Sequence, residues 1–259
     1  MDIAAIHGRF VWHELETDDM DAGTAFYTAL VGWGTATEDP GSGPYRMFTQ
    51  DGVAAAGLMD LPDEAKQMGA VPCWLLYVGV ADVDATIAQA EALGATSPIE
   101  SFDVPTVGRI GLILDPQGAA LGLFAPAGDD SPVGPPPGVG APSWHELATT
   151  DYEAALRFYG QLFGWSATEA MDMGGGAIYQ LFGLDDGEPL GGIFNKPPGM
   201  PVSAWNVYWE VADVDAAAAR IPGLGGRILT EPMEVPGGGR IVQGVDAQGA
   251  MFSLSSHQA

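Results

Sequence analysis

Nearly the same string is written twice in this chain. "WHELETDDMDAGTAFYTALVGW" (Trp12–Trp33) and "WHELATTDYEAALRFYGQLFGW" (Trp144–Trp165) match without a gap. Later words keep the order: "VADVDA" at Val80–Ala85 and Val211–Ala216, "VP" followed by "GRI" at Val104–Ile110 and Val235–Ile241, and "DPQGA" at Asp115–Ala119 against "DAQGA" at Asp246–Ala250. Shared order over that much sequence implies two homologous domains that fold alike. Between them "APAGDDSPVGPPPGVGAP" (Ala125–Pro142) is too rich in Pro and Gly for a helix or a central strand. The expected division is a first domain at 1–126, a linker at 127–141 and a second domain at 142–259.

Each copy reads alike at coarse resolution. A short strand (Phe10–Glu16; Ser143–Ala148) runs into Asp or Thr, good helix caps, and then into a helix. Phe26 and Leu30, or Phe158 and Leu162, fall four apart on that helix, and Gly32 or Gly164 ends it. Strands follow near Tyr45–Gln50 and Ala54–Met59, or Ala177–Leu181 and Gly191–Phe194. The order then recurs within each copy. A strand (Trp74–Val80; Trp205–Val211) leads into an "ADVDA" helix start, a helix, and strands ending in "ALGLF" or "MFSLS". Each domain is therefore β-α-β-β-β taken twice, an α+β fold, and 37 Gly and 20 Pro suit its many turns.

The 34 Asp+Glu against 9 Lys+Arg give a formal charge of −25, which disfavours nucleic acid and anionic membranes and favours cationic or neutral small ligands. The single cysteine, Cys73, precludes an intramolecular disulfide and a multi-Cys zinc site. The longest apolar run, "VPCWLLYVGVA", is too short to span a bilayer, and "MDIAAIHGRF" does not read as a signal peptide. A cytoplasmic monomer or homodimer with a small-molecule partner is the expectation.

The opening strand with its "D…A..FY..L.GW" helix, the "V.VADVDA" word and "DPQG" before the last strand together resemble the vicinal oxygen chelate superfamily, also called the glyoxalase / bleomycin resistance / extradiol dioxygenase family, in a tandem two-domain glyoxalase-like form. The resemblance covers most of both halves. It implies paired βαβββ units whose mixed sheets curl around a cavity that holds the function. It does not settle the chemistry, because such members include lyases, dioxygenases, isomerases and proteins that sequester drugs.

The resemblance also implies where a divalent metal would be held. Aligned through Asp19 and Asp151, the first-strand ligand position falls on Trp12 and Trp144, the middle-strand position on Leu75 and Asn206, and the closing position on Gly122 and Ser253. None of these is a histidine or carboxylate. A one-residue slip would bring His13 or His145 to the first position and still leave no second histidine, whereas catalytic metals need three or four converging donors. The expected cofactor is none, with an unconventionally held divalent metal as the alternative.

Neighbours on a strand point to opposite faces. If Trp12 and Trp144 face the cavities, so do Glu14 and Glu146, while His13 and His145 pack or hydrogen bond behind the sheet. A carboxylate beside aromatic walls must be hydrogen-bonded, protonated or matched to a cation. Glu14 and Glu146 are thus either ligand contacts, and the candidate catalytic bases, or structural hydrogen-bonders. In "WNVYWEV", Asn206, Tyr208 and Glu210 alternate onto one face, against Leu75, Tyr77 and Gly79 in the first copy. The second cavity is the more polar and the favoured one. The candidate ligand-binding residues are Trp12, Tyr77, Trp144, Asn206, Tyr208, Glu210 and Ser253. Arg109 and Arg240 recur and could meet an anionic ligand or balance carboxylates. Three readings remain. The first is a metal-free binder of an apolar or cationic aromatic molecule; the second is a lyase, isomerase or oxygenase using Glu14 or Glu146 as base. The third is an interaction module whose cavities are filled.

Overall fold

The computed structural model describes residues 3–38, 44–128, 135–184, 187, 189–236 and 238–257. In chain order the first repeat contains α1 (Ile3–Ile6), β1 (Phe10–Thr17), α2 (Met20–Val31), β2 (Gly34–Glu38), β3 (Tyr45–Gln50), β4 (Val53–Asp60), α3 (Asp63–Gln67), β5 (Cys73–Gly79), α4 (Val83–Ala92), β6 (Phe102–Val104), β7 (Gly108–Leu114) and β8 (Ala120–Pro126). The second contains β9 (Pro142–Thr149), α5 (Tyr152–Phe163), β10 (Ser166–Asp172), β11 (Ile178–Gly183), β12 (Pro189–Asn195), β13 (Ala204–Glu210), α6 (Val214–Arg220), a 3-10 turn (Pro222–Leu224), β14 (Arg227–Glu234), β15 (Gly239–Val245) and β16 (Met251–His257). Each repeat supplies one eight-stranded mixed sheet, ordered β2-β3-β4-β1-β5-β8-β7-β6 and β10-β11-β12-β9-β13-β16-β15-β14. The expected α+β class with two β-α-β-β-β modules per repeat is what folds. Within the linker expected at 127–141, residues 129–134 lie outside the described residues.

Local chemistry accounts for the boundaries. Asp19, Asp82, Asp151 and Asp213 all sit in extended backbone and accept from amides of the first helical turn, as N-caps do. Gly32 (φ 91°) and Gly164 (φ 76°) close α2 and α5 in the left-handed region, which costs glycine little. Between the first helix and the middle strand of each repeat, alternation does not mark β2 or β10. Both are sheet edges with polar sequences, "GTATE" and "SATEAMD", so no apolar face marks them.

The chain condenses into two compact units, and neither is a sequence repeat. Unit 1 comprises Met1–Val11, Leu76–Ser131 and His145–Trp205; unit 2 comprises Trp12–Leu75, Pro132–Trp144 and Asn206–Ala259. Each unit therefore joins one β-α-β-β-β module from either repeat. In unit 2 the core is aromatic: Trp33 meets Trp209 edge-on at 4.7 Å, and Phe26 meets Phe252 at 5.5 Å. In unit 1 Trp165 lies 4.6 Å from Phe182 and 5.6 Å from Trp205.

The "D-x-Q-G-A" words bind the modules of each unit together. In unit 2 the Trp74 indole donates to the Tyr27 hydroxyl (2.9 Å), which donates to Asp246 (3.3 Å), while Gln248 donates to the Asp19 carbonyl (3.0 Å). In unit 1 Trp205 donates to Tyr159 (3.0 Å) and Tyr159 to Asp115 (3.0 Å), while Gln117 donates to the Asp151 carbonyl (2.9 Å). Burial foremost, and then the adjacent carboxylate, hold both tyrosines well above the usual phenol range.

Candidate functional site

Alternation along β1 divides its side chains between two environments. Val11, His13, Leu15 and Thr17 are buried, and Leu15 reaches to within contact distance of Gly23 on α2. Trp12, Glu14 and Glu16 take the opposite face, on which Glu14 is also buried, Trp12 and Glu16 are half-buried, and the Trp12 indole donates to the Tyr45 hydroxyl at 3.0 Å. The imidazoles lie behind the sheets, as expected. His13 meets the Trp209 ring edge-on at 5.2 Å. His145 stacks on Phe10 at 3.8 Å with Nδ1 3.1 Å from the Leu190 carbonyl, and burial pushes its pKa down to about 4.

Glycines shape the faces that carry Glu14 and Glu146. Glu14 lies beside Gly57 on β4, and a Cβ on Gly57 would stand 1.9 Å from the Tyr45 hydroxyl. In the second repeat Glu146 lies beside Gly192 on β12, where a Cβ would stand 2.2 Å from the Tyr179 ring. The missing side chains let each tyrosine lie across the strand. Tyr179 then donates to Glu146 at 3.0 Å and stacks on Phe194 at 5.7 Å. Tyr45 and Tyr179 were missed as site residues, although a repeated Y-x-x-F (Tyr45–Phe48, Tyr179–Phe182) marks them. Trp144 shares the face of Glu146 by alternation and is half-buried.

Glu16 was also missed; its place in the second repeat is taken by Ala148. Burial first, and then the Glu14 carboxylate, push Glu16 up to about 7. Burial and the same two carboxylates raise the Cys73 thiol to about 12, which makes it an unreactive hydrophobe and not a nucleophile.

The second repeat brings the expected Asn206, Tyr208 and Ser253 into a row with Gln243 and Thr230, which were not expected, on β13, β16, β15 and β14. Tyr208 is the register partner of Ser253, Ser253 of Gln243, and Gln243 of Thr230. The Asn206 amide nitrogen donates to Ser253 Oγ (2.6 Å), Gln243 donates to the Tyr208 hydroxyl (2.7 Å), and Thr230 donates to Gln243 (3.1 Å). Asn206 Oδ1 is buried without a hydrogen-bond partner. Such an acceptor costs about 1–3 kcal/mol. Glu210 stands apart from this row, accepting from Ser255 Oγ (2.8 Å) and the His257 amide (2.9 Å). Tyr77 lies against Gly122, where a Cβ would stand 2.3 Å from its ring. Arg109 and Arg240 balance carboxylates: Arg109 Nε pairs with Asp84 at 2.9 Å and Arg240 with Asp215 at 2.8 Å.

Residues fitting a divalent metal are not gathered at the implied positions. Indole, amide and hydroxyl in one repeat, and indole, leucine and glycine in the other, are not the imidazole and carboxylate donors such an ion requires. No group of three or more His, Cys, Asp or Glu suited to a metal occurs among the described residues.

Comparisons with known proteins follow the repeat. A model described as "Glyoxalase/Bleomycin resistance protein/Dioxygenase superfamily" matches residues 142–254, and one described as "Glyoxalase-like domain" matches 12–124. CFP32 of Mycobacterium tuberculosis, whose name marks it as a candidate glyoxylase, is 36% identical over 247 residues, covering 94% of this chain and 92% of that protein. The anthracycline biosynthesis protein DauV of Streptomyces sp. strain C5 is 30% identical over 260 residues, covering 95% and 92%. Among solved structures, the Mn(II)-bound glyoxalase from Novosphingobium aromaticivorans has a TM-score of 0.65 at 18% identity, covering 98% of this chain and 83% of that one. The 2,3-dioxygenase LapB from Pseudomonas sp. KL28 has a TM-score of 0.63 at 12% identity, covering 97% and 92%. The chain belongs to the glyoxalase/bleomycin resistance protein/dioxygenase superfamily.

Proposed function

We propose that this protein binds small aromatic molecules, cations foremost, on the sheet faces that carry Trp12, Glu14 and Glu146, and without a divalent metal such as the Mn(II) bound by the glyoxalase from Novosphingobium aromaticivorans. One observation carries the reading: an indole (Trp12), two carboxylates (Glu14, Glu16) on one face of β1, and a phenol (Tyr45) from β3 that bonds the indole, are gathered in unit 2. Aromatic faces attract cations by about 0.5–2 kcal/mol each, and the carboxylates supply the counter-charge. The net charge of −25 draws in cations and repels anions. Glu146, Tyr179 and Phe194 offer a carboxylate and two rings in the second repeat. Calorimetry with N-methylquinolinium, neutral quinoline and an anthracycline tests it, the last because DauV is named for anthracycline biosynthesis. The cation is expected to bind at least fivefold tighter than quinoline, and Glu14→Gln to weaken it about tenfold. The absence of heat with every probe would overturn the reading. Stoichiometric Mn, Fe, Ni or Zn in protein purified without added metal would overturn its metal-free part.

The raised pKa of Glu16 supports a second reading, a lyase or oxidoreductase. A carboxyl titrating at about 7 beside Glu14 exchanges protons at neutral pH, and Glu14 or Glu146 would be the base that takes a substrate proton. Turnover of a methylglyoxal–thiol adduct, abolished in Glu14→Gln or Glu146→Gln, would favour the enzyme. Tight binding of quinolinium without turnover favours the binder.

A further inference from the structure

The geometry points to a neutral carboxamide group as the ligand feature read by Asn206 and Ser253, on the face of β13 and β16 that also carries Tyr208. The inference rests on the reading that these sheet faces bind small aromatic molecules, and it adds which polar group one of them selects.

The duplication provides an internal control. Where the second repeat carries Asn206, Ser253 and Gln243, the first carries Leu75, Gly122 and Leu112, in the same strand positions and cross-strand register. An apolar set therefore builds this part of the sheet. Polarity here is not a requirement of the fold, and burying it is unfavourable. Asn206 is only 5% exposed and Ser253 fully buried, yet the amide satisfies itself only halfway. Its nitrogen donates to Ser253 Oγ, while Oδ1 meets no donor.

The two atoms left to act define their complement. Asn206 Oδ1 needs a donor hydrogen. Ser253, whose oxygen is engaged by Asn206, has its own hydrogen to give to an acceptor. A carboxamide presents an N–H and a C=O side by side and answers both. A carboxylate would set lone pairs against Oδ1. An ammonium would satisfy Oδ1 but offer nothing to Ser253, and an ester would satisfy only Ser253. The row Thr230–Gln243–Tyr208 beside them holds the tyrosine hydroxyl as an acceptor of the Gln243 amide hydrogen and fixes the ring that borders the pair. Because Asn206 is buried, the ligand must displace side chains to reach it. Association is therefore expected to be slower than the ordinary range of about 10⁵–10⁷ per molar per second.

The test holds the aromatic body constant and varies the head group. Naphthamide, methyl naphthoate and sodium naphthoate are titrated into the full chain, with N-methylquinolinium alongside. Naphthamide is expected to bind at least tenfold tighter than the ester and more tightly still than the carboxylate. Asn206→Leu and Ser253→Gly, the residues of the first repeat at these places, are expected to remove that preference without lowering Tm; Ser253→Ala provides the same readout if the glycine variant unfolds. Equal binding of amide and ester, or a preference that survives Asn206→Leu, overturns the assignment, as does failure of all the naphthyl compounds while quinolinium binds. If quinolinium also fails, the broader reading falls with it.

Discussion

The Tyr159 hydroxyl donates to the Asp115 carboxylate across 3.0 Å, linking the first helix of the second repeat to the last turn of the first. Tyr27 and Asp246 make the reciprocal link at 3.3 Å, from the first repeat to the second. Each aspartate also holds its own turn: Asp115 accepts from the Gln117 and Ala119 amides at 2.8 and 2.9 Å, and Asp246 from those of Gln248 and Ala250. The carboxylate is thus shared between a turn and a buried tyrosine of the other repeat, one of the contacts that join the modules of each compact unit.

Tyr159→Phe removes the donor to Asp115 and the acceptor of the Trp205 indole together. A loss of about 1–3 kcal/mol in urea denaturation is expected, because buried polar groups remain on both sides. An unchanged midpoint would show that the link is not a stabilising contact.

Glu16 gives stability an unusual pH dependence. Its folded pKa, about 7, lies above the ordinary 4.5, so the folded state holds the proton more tightly than the unfolded chain. The contribution is fully present below about 4.5 and is lost as pH rises through 7. Glu16→Gln is expected to raise Tm by several degrees at pH 8 and little at pH 4.5, and scanning calorimetry at both values reads the difference. Cation binding moves the other way in the parent protein, strengthening as pH rises through 7 and Glu16 ionises.

His145 acts with the opposite sign. Its folded pKa, about 4, lies below the ordinary 6.5, so its contribution is present above 6.5 and is lost as pH falls through 4. His145→Phe is expected to flatten this acid limb of the stability curve. A limb that persists unchanged assigns it to other groups.

Gly192→Ala puts a methyl 2.2 Å from the Tyr179 ring, which must swing away and release Glu146. A stability loss of about 1–3 kcal/mol is expected, with weaker binding of aromatic probes. Gly199→Ala, with open space around it, is the control and should change neither.

Much of the site was legible along the chain. Strand alternation placed Trp12 with Glu14 and turned His13 and His145 behind the sheets, because the period of two leaves no other choice once one side is packed. Asn206 and Ser253 were both named as candidates, but their hydrogen bond to each other appears only in the structure. Tyr45, Tyr179, Gly57 and Gly192 were not found. A glycine that makes room for a ring on the neighbouring strand has no local signature, and its meaning appears only when the register is known. Glu16 was overlooked for the same reason, since its proton affinity depends on burial that no neighbour in sequence supplies.

By itself the sequence determined the duplicated β-α-β-β-β modules, their Asp and Gly helix boundaries and the alternating faces, because each follows from interactions among residues close along the chain. Only the tertiary structure decided which modules condense together and which amide is left with an unmet oxygen. Both depend on contacts between segments more than a hundred residues apart in the first case and across strand register in the second, where packing and burial, not local propensity, set the free energy.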